Sequence, residues 1–90
     1  MDIEALLKDK ELCIQTIYDE RKKIADYKEQ RIKMKAPLWD EATGTVDQKK
    51  DYIKSRTSEY DKKIAICEAE IEYMYNEIAI IEDRLVYLDE

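Results

Sequence analysis

Ninety residues carrying a net charge of −6, 42% charged and 44% apolar, describe one small domain that is not compositionally disordered yet buries little of its own surface. One Gly, one Pro and no Phe, set against many Lys, Glu, Ile, Leu and Ala, exclude a turn-rich β fold and point to an all-α chain. With no His and only two Cys, a histidine general base is excluded and no zinc set within one chain is expected.

Asp2 is a suitable N-cap for a first helix predicted over about 2–35. Ile3, Leu6, Cys13, Ile17, Ile24, Tyr27 and Met34 follow one seam of three-four spacing, interrupted by Lys10, Glu20 and Arg31. The stretch of about 36–45 reads as a turn. Pro37 restricts Ala36 and should end the helix, while Gly44 is free to take positive φ. Trp39 is expected to fold back over the end of the core. Thr45 and Gln48 have the spacing of a capping box, opening a second helix predicted over about 46–89.

That second helix carries an uninterrupted heptad seam: Tyr60, Ile64, Cys67, Ile71, Met74, Ile78, Ile81, Leu85 and Leu88. Two long helices joined by a short link imply a single domain over 1–90, an antiparallel two-helix coiled-coil hairpin. A turn centred near Ala42 sets Ile3 opposite Ile81, Leu6 opposite Ile78, Cys13 opposite Ile71, Ile17 opposite Cys67 and Ile24 opposite Tyr60. Leu85 and Leu88 would then run past the start of the first helix. Cys13 and Cys67 would lie about 9–10 Å apart, too far for an unstrained disulfide. The charged seam residues would pack their stems and keep their heads in water.

Apolar residues also lie off the seams. Leu7, Ile14, Tyr18, Ala25 and Ile32 make a second stripe on the first helix, and Ile66, Tyr73, Ile80 and Tyr87 recur every seven on the second. A hairpin buries one stripe per helix, so these need another partner. The expected assembly is a homodimeric four-helix bundle. The other readings are a docking face for a different protein and a covering domain outside these residues. Ile66, Tyr73, Ile80, Leu85, Tyr87 and Leu88 are the candidate oligomer or partner surface.

The charge is unevenly spread: residues 1–20 balance to −4, residues 21–63 to +5 and residues 64–90 to −7. Around the turn, Arg31, Lys35, Trp39, Lys49, Lys50 and Lys54 could grip phosphate and stack on a base. Asp40, Glu41, Asp47 and Asp51 interleave and weaken that reading. Glu68, Glu70 and Glu72 read as a solvated acidic face. No enzyme activity and no cofactor are expected. No apolar run approaches the roughly 20 residues of a membrane span, and no basic-then-apolar leader opens the chain, so a cytoplasmic protein is expected.

The first helix, the Lys35-Ala36-Pro37-Leu38-Trp39-Asp40 turn, the polar stretch through Gly44 and the run Asp51-Tyr52-Ile53 together resemble the N-terminal helical half of small phage regulators of the ArpU/RinA type. Ile80-Ile81-Glu82-Asp83 is similar to the stretch that leads into their helix-turn-helix. The chain stops at Glu90, so the DNA-reading half is expected to be absent and their transcription role is not carried over. A second resemblance is to small helical-hairpin partners of type VII secretion substrates, although Trp39 is followed by Asp40-Glu41 in place of their Trp-x-Gly motif. These likenesses imply a non-enzymatic phage or mobile-element protein in a bacterial cytoplasm that self-associates and binds a host or phage protein as a regulator or inhibitor. The alternative is a nucleic-acid-binding accessory protein that uses the basic tip.

Overall fold

The computed structural model describes residues 2–89, which form two helices, α1 (Ile3–Glu41) and α2 (Val46–Asp89). They fold back on each other as an antiparallel hairpin, a rod of 66 × 17 × 13 Å. Both helix starts follow from local chemistry. The Glu4 amide donates to the Asp2 carboxylate at 3.0 Å, which satisfies an end group that the helix itself cannot. At α2 the Gln48 amide donates to the Thr45 hydroxyl at 3.2 Å and the Thr45 amide to the Gln48 side chain at 2.9 Å. Gly44 has φ +100°, and a Cβ there would strike the Gln48 side chain of that capping box.

The predicted end of α1 needs correction. The helix does not stop near residue 35 but continues through Pro37 to Glu41. Proline inside a helix forfeits one backbone bond and costs about 3 kcal/mol. Here the extension buries Leu38 and Ala42 against α2, sets Trp39 under Lys49 at 5.0 Å, and closes a 2.9 Å bond from the Ala42 amide to the Leu38 carbonyl. Leucine burial alone contributes about 1.5–3 kcal/mol, and a cation–π contact about 0.5–1 kcal/mol more. Tertiary packing outweighs the local penalty. The plug at the tip of the core is therefore Leu38 with Ala42, and Trp39 stays 37% exposed on the outside.

Extending α1 shortens the link to residues 42–45 and moves the fold centre from Ala42 to between Thr43 and Gly44. Every cross-helix partner then moves by about one helical step. Leu6 lines a groove with Ile81, and Cys13 does so with Met74. Ile3 lies beside Leu85 and Leu88, and Tyr27 meets Tyr60 with ring centroids 6.5 Å apart. This replaces the predicted pairs Ile3–Ile81, Leu6–Ile78, Cys13–Ile71 and Ile24–Tyr60. It also shortens the predicted overhang: Leu85 becomes half-buried beside Ile3, while Leu88 stays 41% exposed at the open end.

The seams themselves are as the spacing implies. Leu6, Ile17, Ile64, Cys67 and Ile81 are buried, with Ile24, Tyr27, Met34, Tyr60, Ile71, Met74 and Ile78 half-buried around them. Thr57 is only 3% exposed and donates its hydroxyl to the Ile53 carbonyl at 2.9 Å, so its polar atom is satisfied within its own helix. The charged seam residues find partners: Lys10 pairs with Glu82 at 3.2 Å, Arg31 with Asp61 at 2.6 Å, and Glu20 with Lys23 at 2.9 Å. Both cysteines are free thiols. Among the described residues, no helix is long and apolar enough to cross a membrane.

Candidate interaction surfaces

A hairpin seam leaves two flanks, and three cross-helix contacts identify one of them. Arg21 donates to the Tyr75 hydroxyl, Lys10 pairs with Glu82, and Arg31 pairs with Asp61. Leu7 and Ile14 share the face of Arg21 at heptad spacing, and Tyr18, Ala25 and Ile32 run beside them. The second stripe of α1 therefore lies along this flank and is exposed, with Tyr18 at 57% and Ile32 at 64%.

The second stripe of α2 lies on the opposite flank. Tyr73 and Ile80 border a groove of about 500 Å³ whose floor includes Leu6, Cys13, Met74 and Ile81 and whose rim carries Asp9, Leu12, Glu77 and Arg84. Ile66 and Tyr87 continue the line at heptad spacing and are 70% and 80% exposed. Of the six candidate interface residues, Ile66, Tyr73, Ile80 and Tyr87 stand together on this flank. Leu88 is exposed at the open end, and Leu85 is instead half-buried beside Ile3. Leu12, 60% exposed at the mouth of the groove, was not in that set. Its neighbours seven residues away are the small Ala5 and the charged Asp19, so a periodic reading passes over it.

The groove floor raises the pKa of a thiol. Burial pushes Cys13 above its ordinary value, and the carboxylates of Glu77 and Asp9 add to the effect. Further along the seam, burial does the same to Cys67, reinforced by the neighbouring Glu20 carboxylate. Glu20 is in turn held below the usual carboxylate range by its hydrogen bond to Lys23, with the Cys67 thiol adding to it. A thiol whose anion is disfavoured is a poor nucleophile, so both cysteines act as small seam residues. Among the described residues, no cluster of three or more acidic or thiol side chains has the arrangement of a metal site.

At the tip, the basic candidates divide into two groups. Arg31, Lys35, Lys50 and Lys54 converge with Ile53, Thr57 and Asp61 around a hollow of about 440 Å³. The buried Arg31 Nε has no hydrogen-bond partner there. Trp39 and Lys49 are engaged with each other instead. Glu41 accepts a 3.3 Å hydrogen bond from Tyr52, whose ring lies under Arg56 at 5.2 Å. The hollow thus gathers four cations against one carboxylate but no free aromatic ring.

Compared with protein-family models, with curated proteins and with solved structures, the chain matches none.

Proposed function

We propose that this hairpin is a non-enzymatic protein-binding module of a phage or other mobile element, acting in the cytoplasm of a bacterial host. It self-associates and holds a host or phage protein, as a regulator or inhibitor. The observation that carries this reading is the flank of α2, where Ile66, Tyr73, Ile80 and Tyr87 are exposed in line beside an open groove. Aromatic and branched apolar side chains with a polar rim are the composition of a protein interface core. The resemblance to the helical half of ArpU/RinA-type regulators supports the phage origin. The protein immobilised on a support should capture a specific host or phage protein, and Tyr73→Glu with Ile80→Glu should abolish that capture while leaving helicity unchanged. Equal capture by the double variant overturns the assignment of this surface.

A second reading is favoured by the tip hollow, where Arg31, Lys35, Lys50 and Lys54 stand together. Four convergent cations suit a phosphate backbone, and binding through them would weaken steeply with salt. Lys50→Glu with Lys54→Glu should abolish such binding to DNA or RNA. An absence of binding by the unaltered protein even at low salt ends this reading.

A further inference from the structure

The exposed stripe of α1 is complementary to itself when reversed. Taking the midpoint between Asp19 and Glu20, each stripe residue has a counterpart at equal distance on the other side. Leu7 answers Ile32, and Ile14 answers Ala25. Glu11 answers Lys28, and Glu4 answers Lys35. Tyr18 answers Arg21 beside the midpoint. All of these residues are exposed on the flank marked by the Arg21–Tyr75 contact. Apolar residues fall on apolar ones, carboxylates on ammonium groups, and an aromatic ring on a guanidinium. The Tyr18 ring already attracts a cation, with Lys22 Nζ 5.5 Å from its centroid.

We propose that a second copy of this chain docks on this flank, α1 against α1 and antiparallel, about a twofold axis at Asp19–Glu20. The proposal rests on the reading that the protein self-associates and names the surface that does so. A twofold contact uses the same patch on both partners and must be self-complementary, as this stripe is. From Glu4 to Lys35 the contact runs about 46 Å at 1.5 Å per residue. The overall charge agrees: reversing one copy lays residues 21–63, at +5, beside the acidic open end of the other. A parallel pair would stack Glu11 on Glu11 and Lys28 on Lys28. The opposite flank suits a second copy less well. Along α2, Glu70 and Glu77 border Ile66, Tyr73 and Ile80 there, and Lys23 and Lys63 lie only at its Ile66 end. Arg84 is the sole cation in residues 64–90, so copies meeting along 64–90 would bring more acid than base together. That flank stays open for a different protein.

Light scattering and sedimentation on the full chain test the pairing. The unaltered protein should be a dimer. Glu11→Lys and Lys28→Glu, each at an exposed position, should separately weaken it about tenfold, since two ion pairs per dimer turn repulsive. Combining both substitutions restores the opposite charges and should return the dimer to near its original strength. As a second readout, Ile14→Cys with Ala25→Cys, in a chain with both native cysteines changed to alanine, should oxidise to a covalent dimer. The two positions lie about 16 Å apart along one helix, too far to bridge within a chain. A dimer indifferent to both charge reversals, or one that fails to recover in the combined variant, overturns this pairing and leaves self-association standing. So does a dimer that Tyr73→Glu dissociates, which would move the contact to the α2 flank. A monomer at every concentration overturns self-association as well.

Discussion

The open half of the hairpin and its tip share one seam but are held together by different forces. In the open half, Leu6, Ile17, Ile64, Cys67 and Ile81 are buried in a nearly continuous apolar stripe. Towards the tip the buried positions are Leu38, Ala42 and Thr57, and Arg31 lies between them with one guanidinium nitrogen unpartnered. The tip is ordered instead by its short link, the Thr45–Gln48 capping box and the Arg31–Asp61 pair. Apolar burial contributes on the order of 25 cal/mol per Å², whereas partly exposed ion pairs contribute about 1 kcal/mol or less. Most of the stability therefore resides in the open half, and the tip chiefly sets the register.

The largest break in this contrast comes from core truncation. Ile64→Ala should cost about 2–5 kcal/mol, read as a lower urea midpoint by circular dichroism. Leu38→Ala should cost less, because the site is next to a link that can collapse into the space. Equal losses at the two sites would erase the distinction between the halves. A smaller effect of opposite sign is expected from Arg31→Met. It removes the buried, unpartnered Nε and keeps an aliphatic stem on the seam, while the partly exposed pair it gives up with Asp61 contributes about 1 kcal/mol or less. The melting temperature should hold or rise by a few degrees, and a clear fall would mean that the Arg31–Asp61 pair contributes more than its desolvation costs.

The smallest effect concerns pH. The folded state holds the Cys67 thiol above its ordinary pKa, mainly through burial. Its neutral form therefore supports folding below the unfolded thiol value of about 8.5, and that support is lost as pH rises through the folded value. Urea midpoints should fall on the alkaline side, and fall less for Cys67→Ala. Parallel pH curves would remove Cys67 from the account.

Much of this contrast is legible in the residues. The three-four spacing names every buried position of α2 from Ile64 onward, and the seam interruptions Lys10, Glu20 and Arg31 are all half-buried. The caps at Asp2 and Thr45 and the positive φ of Gly44 follow from local chemistry, and they are present as expected. The end of α1 was not legible. Pro37 is a stop signal in isolation, and only the burial of Leu38 and Ala42 against α2 overrides it. That extension from about residue 35 to Glu41 changes the partner of every seam residue, because register in a hairpin is set by where the chain reverses.

The candidate surfaces divide in the same way. Heptad spacing alone places Ile66, Tyr73, Ile80 and Tyr87 on one line and Leu7, Ile14, Tyr18, Ala25 and Ile32 on another, since spacing along a helix is angle around it. Whether those lines share a flank or oppose each other depends on how one helix is rolled against its neighbour. The Arg21–Tyr75 contact and the Tyr73–Ile80 groove decide it. From its sequence alone this protein is a helical hairpin with more apolar surface than two helices can hide. Only the tertiary structure turns that surplus into two opposed faces, because the rotation of α1 against α2 is a property of their packing and is written in neither helix by itself.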